Sequence, residues 1–218
     1  HRADVLSRPP HRECAEAGTP PQAPTLDRHR QPDPVRLSKL RGYRDLVDVQ
    51  EGLTMGTAGF PEPRTFSRRV ARLLRDRIQD FDVVHDNQVL GYGMLDIERM
   101  GLPMVTTIHH PITFDRRIDL ASAPTRRKKV SLWRWYGFLR MQGKVARRLS
   151  RILTVSESSR RDIANDFEVD AHRIQVIPLG VDEVFQPPTE PRVPGRIVAM
   201  ASADAPRKGI ATRLEAAA

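Results

Sequence analysis

The chain has 218 residues, of which 39% are hydrophobic and 29% charged, with a net charge of +9; this length suits one full domain and part of a second. No apolar run approaches the roughly 20 residues of a membrane-spanning helix, and the single cysteine, Cys14, excludes an internal disulfide framework and any multi-cysteine zinc site. The positive balance favours anionic partners such as nucleic acid, acidic lipid or phosphorylated small molecules, and by itself does not choose among them.

Residues 1–34 are rich in Pro, Arg and His, with pairs at Pro9-Pro10 and Pro20-Pro21. Lacking both the strand and the helix period, they are expected to be disordered or non-native sequence. The opening His1-Arg2-Ala3-Asp4 has no Met and no apolar stretch behind it, so no secretory leader is expected, nor an intact translation product. With one cysteine, the expected setting is reducing and cytoplasmic.

From Arg36 the pattern becomes periodic. Phe66 to Ile78 places Val70, Leu73, Leu74 and Ile78 on one face with arginines opposite, which predicts an amphipathic helix. Phe81 to His85 reads as a short buried strand, and Gly91 to Met100 as a helix ended by Gly101 and Pro103. Met104 to Ile108 is a β-branched strand, followed by a long basic, aromatic helix over Arg126 to Leu149. Arg151 to Val155 is the next strand, and Ser156 stands at the N-cap of a helix over Glu157 to Phe167. Ile174 to Ile177 forms another strand, the Pro-rich stretch 185–195 a linker, and Arg196 to Met200 the first strand of something new.

Strands alternating with helices predict a doubly wound, Rossmann-like α/β fold, its parallel sheet covered on both faces. One domain is expected over 35–184 and the truncated start of a second over 196–218. In such folds ligands bind beyond the carboxyl ends of the strands. Each strand here runs out into polar residues: His85-Asp86-Asn87-Gln88, His109-His110-Pro111, Ser156-Glu157-Ser158, and Leu179-Gly180-Val181-Asp182. Ser156 also fits a purely capping role, and Gly180 a tight turn.

His109-His110 is the most informative pair. An imidazole just past a strand can orient a hydroxyl, act as a general base or hold a metal. Adjacent residues leaving a strand point to opposite sides, so at most one ring faces the cleft, and His109, directly after Ile108, is the choice. Asp80-Phe81-Asp82 precedes its strand, at the wrong end for a metal–nucleotide site. No further cluster completes a two-metal set with His85, His109 and His110, and His172 lies at the opening end of its strand, where a structural role is expected.

The segments FDVVHDNQVLGYG (81–93), PMVTTIHHP (103–111), RILTVSESSRRDI (151–163) and RIQVIPLGVD (173–182), in this order, resemble glycosyltransferase family 4. The resemblance implies the two-domain GT-B fold, with acceptor bound mainly by the first domain and sugar nucleotide by the second. It implies transfer of a sugar from a nucleotide-sugar donor to a hydroxyl acceptor with retained configuration and without a metal or other cofactor. Carried over by position, His109 takes the family's catalytic histidine position, and His85, Asn87, His110, Ser156 and Glu157 fall on the acceptor and cleft side. Ser202 to Gly209 resembles the donor-phosphate segment, Lys208 standing at its lysine and Ser202 where the family carries an arginine six residues earlier. The family's opening strand and Gly-rich loop have no match in residues 1–34, and its paired glutamates would follow Ala218. The chain alone is therefore expected to transfer no sugar at a useful rate.

The 126–149 helix has tryptophans beside arginines. That pattern fits peripheral contact with the anionic inner face of a membrane, and equally a stripe packed on the sheet with its charges solvated. A different function class, a basic non-catalytic α/β module that binds nucleic acid or acidic membrane, rests on the same helix. The ordered polar strand exits favour the transferase, for which no nucleic acid partner is expected.

Overall fold

The computed structural model describes residues 45–187, 191, 193–196, 198 and 215–216. The expectations for residues 1–34, for most of 196–218, and for Ser202 and Lys208 lie outside the described residues.

Two helices come first. Helix α1 (Leu46–Gly56) is capped by Asp45, whose carboxylate accepts from the Asp48 amide at 2.9 Å. Helix α2 (Glu62–Arg75) starts with Glu62 in its first turn and ends with Arg72 and Arg75 in its last, complementing the helix dipole at both ends. It turns Val70, Ala71 and Leu74 into the core. Arg69 points instead at α1, where its guanidinium meets Asp48 at 2.5 Å and Glu51 at 2.7 Å, all three side chains buried.

Four parallel strands follow: β1 (Val84–Asn87), β2 (Met104–Thr107), β3 (Ile152–Thr154) and β4 (Ile174–Val176), in the order β1-β2-β3-β4. Helix α3 (Tyr92–Arg99) joins β1 to β2, and α7 (Glu157–Phe167) joins β3 to β4. Between β2 and β3 the chain makes α4 (Thr113–Ala121), α5 (Arg126–Trp135) and α6 (Leu139–Ala146). The single helix expected over 126–149 is thus divided. A 3-10 turn at Tyr136–Phe138 separates its halves, with Gly137 lowering helix propensity at the break.

The register sets the site. Asp86, Thr106, Ile152 and Ile174 form one row across all four strands, and all are buried. Asn87, Thr107, Leu153 and Gln175 form the next row, on the opposite face, half-buried or exposed. The parallel α/β architecture is the expected one. Strands added in one direction with like-handed crossovers send the helices that join them to one face. There α2 packs on α3, α3 on α6 and α6 on α7. Leu74, Leu90, Ile97, Ile108, Val145, Ile152 and Ile163 fill the space between that layer and the sheet, each at most 1% exposed; burial of such a side chain is worth about 1.5–3 kcal/mol.

Two glycines make the layer close. A Cβ on Gly93 would lie 2.0 Å from the Ser67 carbonyl oxygen, and one on Gly91 would lie 2.1 Å from the Pro63 oxygen. The start of α3 therefore rests against the α2 backbone, and the Gly93 amide donates to Ser67 Oγ at 3.3 Å. At the far end α7 stops with Glu168 in the left-handed region (φ 56°). Arg147 from beyond α6 donates to the Phe167 carbonyl at 2.8 Å and pairs with Glu168 at 3.1 Å, satisfying that helix end.

Candidate functional site

Strand β1 runs two residues beyond its expected end, so Asn87 joins His85 within the strand. Being two apart, they share one face. On β2 the same face carries Thr107 and, two residues past the strand, His109. The four side chains make two rungs: His85 Nε2 lies 2.8 Å from Thr107 Oγ1, and His109 Nε2 lies 2.8 Å from Asn87 Oδ1. A carboxamide oxygen only accepts, so Nε2 of His109 donates this bond.

The loop holding His109 is gripped from β1. Gln88 accepts from the His109 amide at 2.8 Å and donates to the His110 carbonyl at 2.7 Å. Gln88 itself takes a left-handed conformation (φ 62°), as does Leu90 (φ 51°). That turn is held by Asp86, whose carboxylate accepts from the amides of Val89 (3.1 Å) and Leu90 (3.2 Å). Burial pushes the Asp86 carboxyl above the usual carboxylate range, against the opposing pull of those two amides and of His85. Gln142 of α6 adds donors to the carbonyls of Gln88 and Val89, both at 3.3 Å, and Thr154 donates to the Ile108 carbonyl at 2.7 Å. His109 therefore sits on a hydrogen-bonded platform drawn from three strands and one helix.

The two histidines diverge. The ring of His110 is exposed and turned toward Asp115 of α4, 3.8 Å away. Thr113 and Arg117 of α4 both bond to Asp166 of α7, anchoring α4 across the sheet edge. Burial raises the Asp166 carboxyl, but the Thr113 hydroxyl and the Arg117 and Arg116 charges outweigh it and hold the carboxyl below its ordinary range.

The other expected site residues lie along the same carboxyl edge, engaged locally. Ser156, after β3, caps α7 by accepting from the Ser159 amide at 3.1 Å. Glu157 is exposed and paired with Arg160 at 2.9 Å. The turn after β4 is exposed throughout Leu179 to Asp182. So the structure brings His85, Asn87 and His109 into one ladder, places His110 beside it, and leaves Ser156 and Glu157 on the next strand over. Gln88, Asp86 and Gln142 are the residues that sequence reasoning missed as parts of this platform. Among the described residues no group of three or more His, Cys, Asp or Glu side chains could hold a metal ion, and no helix is long and apolar enough to cross a membrane.

Chemically, the arrangement offers an imidazole fixed through Nε2 at the edge of a parallel sheet where α/β folds bind their ligands. Such a group can orient a hydroxyl or take its proton.

Two comparisons with known proteins bear on the family of the chain. The family model for Glycosyltransferase Family 4 matches residues 7–185. An MMP alpha-(1->4)-mannosyltransferase of Mycolicibacterium hassiacum is 48% identical over 219 residues, covering 100% of this chain and 53% of that protein. The chain thus spans about half the length of that relative. It belongs to glycosyltransferase family 4.

Proposed function

We propose that this member of glycosyltransferase family 4 supplies the acceptor side of an enzyme that moves a sugar from a nucleotide-sugar donor to a hydroxyl on a lipid or a glycan. The observation that carries this reading is the platform under His109: an imidazole fixed through Asn87 and Gln88 at the ligand-binding edge of a parallel sheet. The name of the M. hassiacum relative points to mannose as the transferred sugar and to an α-(1→4) linkage.

In this reading the bond between the anomeric carbon and the donor phosphate oxygen breaks, and the acceptor oxygen bonds to that carbon. The acceptor's proton leaves, and the nucleoside diphosphate departs with the electron pair. Configuration is retained, and no metal takes part. His109 orients the reacting sugar and acceptor, converting an encounter into a positioned step. His85, Asn87, His110, Ser156 and Glu157 face the cleft around it. Lys208 neutralises the growing charge on the diphosphate, with Ser202 beside it in place of a second cation. With one phosphate contact missing, the chain alone is proposed to transfer no sugar at a useful rate. The enzyme would work in the cytoplasm, peripherally at the inner face of the membrane, through the basic 126–149 segment.

A graft tests the reading. Residues 45–187 replace the matching part of the M. hassiacum mannosyltransferase, and transfer of labelled mannose from a nucleotide sugar is measured. An active graft is the expected result. A graft that folds cooperatively and transfers nothing contradicts it.

A further inference from the structure

The positive charge of this chain is concentrated. Residues 120–156 contain ten Lys and Arg and no Asp or Glu, whereas the other 26 Lys and Arg and all 27 Asp and Glu nearly cancel. An Arg-rich composition would spread the excess along the chain; here one segment holds all of it.

Six of the ten, Arg126, Arg127, Lys128, Lys129, Arg134 and Arg140, are exposed on α5 and the first turn of α6. None pairs with a carboxylate among the described residues. Helix α5 buries no residue at all, so the expected apolar stripe is only half realised. Tyr136, Leu139, Met141 and Val145 go into the protein, while Val130 (59% exposed) and Trp133 (55%), three residues apart on one face, stand in solvent beside the cations; Trp135, on the other side of the helix, rests against Phe60 with ring centroids 4.9 Å apart. Arg140 lies over the Trp133 ring, 5.3 Å from its centroid.

Beneath this helix is a cavity of about 430 Å³ lined in part by Arg116, Arg134, Arg140, Trp133 and Tyr136. No carboxylate lines it among the described residues. Three guanidiniums around one opening suit a phosphate group, which they recognise with several parallel N–H bonds.

We propose that α5 and the start of α6 form a binding surface for anionic phospholipid, with the lipid phosphate in the Arg116–Arg134–Arg140 cavity and Trp133 and Val130 at headgroup depth. This rests on the peripheral membrane contact given above and adds its residues and its headgroup site. Indoles favour that depth because one side of the ring is apolar and the N–H stays wet. The exposed Val130, on the same face three residues before Trp133, gains by leaving water and would gain nothing along a nucleic acid backbone. Helix α4, which packs on α5 and carries Arg116, follows directly from the His109 loop, so the surface is joined to the candidate site by a single helix.

The test is co-sedimentation of the whole chain with phosphatidylglycerol–phosphatidylcholine vesicles and with pure phosphatidylcholine vesicles. Trp133 and Trp135 are the only tryptophans, so their emission reports insertion directly. Binding at least about tenfold tighter to the anionic vesicles, with a blue shift, is expected. Arg134→Gln with Arg140→Gln should weaken binding by about tenfold or more, and by more than Arg126→Gln with Arg127→Gln, which removes the same charge outside the cavity. Equal losses from the two pairs would overturn the headgroup site and leave the peripheral contact standing. Binding to neither vesicle, or to duplex DNA and not to vesicles, would overturn both.

Discussion

The imidazole of His109 and the carboxamide of Asn87 meet across the ends of β2 and β1, Nε2 to Oδ1 at 2.8 Å. Two positions earlier on each strand, His85 meets Thr107 in the same way. Parallel register and a two-residue side-chain period put these rungs on one face, and the register pairs Asn87 with Thr107 directly. The histidine proposed to serve the transfer is therefore oriented by the neighbouring strand, not by its own loop.

Gln88 fixes the height of that loop. Gln88→Ala removes the bonds to the His109 amide and the His110 carbonyl. The expected cost is about 1–3 kcal/mol in denaturant unfolding, together with faster hydrogen exchange at the His109 amide. Unchanged exchange there would show that the loop holds itself.

The buried Arg69 should be hard to replace. Arg69→Met removes the guanidinium that the buried Asp48 and Glu51 carboxylates share, and about 3–5 kcal/mol of stability should go with it. Asp48→Asn combined with Glu51→Gln in the same background should restore much of that loss. A denaturant midpoint series on the variants measures both effects.

Gly93 offers no room for a methyl group. Its added Cβ would meet the Ser67 carbonyl oxygen at 2.0 Å, and backbone cannot swing away as a side chain can. Gly93→Ala should cost about 1–3 kcal/mol or more through displacement of α3 from α2. Gly137→Ala, where nothing lies within 4 Å, serves as the control; being helical in context, it should be neutral or stabilising.

Asp86 gives a pH signature with a definite sign. Burial raises its carboxyl in the folded protein above the unfolded value of 3.8. Between those two values the folded state holds more protons than the unfolded one, so stability falls as pH rises through the window. Below 3.8 the contribution is complete; above the folded value it is gone. Stability of the wild type relative to Asp86→Asn should therefore decline as pH is raised from about 4, then level off once the carboxyl is ionised. A difference that grows with pH would contradict the assignment.

Much of the fold could be read from the sequence because apolar residues announce it. β2, β3 and β4 are β-branched or aliphatic runs, and α7 begins at the serine that caps it. Helix α1 went unread for a physical reason: the face it buries includes Asp48 and Glu51, so an apolar-period search passes over it. The shift of β1 has the same origin. Asp86 is a buried carboxylate satisfied by loop amides, and a polar residue inside a strand looks like the strand's end. The site was legible as a set of strand exits with His109 at its centre. Gln88 was legible only as one of those polar exits and Gln142 not at all, because each acts through contacts to residues distant in sequence, of which a glutamine carries no local signal.

The central claim is that His109, held by this platform, serves glycosyl transfer. Its most direct test is His109→Ala in the active graft of residues 45–187 onto the M. hassiacum mannosyltransferase, with kcat, KM and thermal midpoint read together. The account predicts a fall in kcat of about a hundredfold or more at an unchanged midpoint. A graft that transfers mannose as fast without the imidazole as with it would contradict the account.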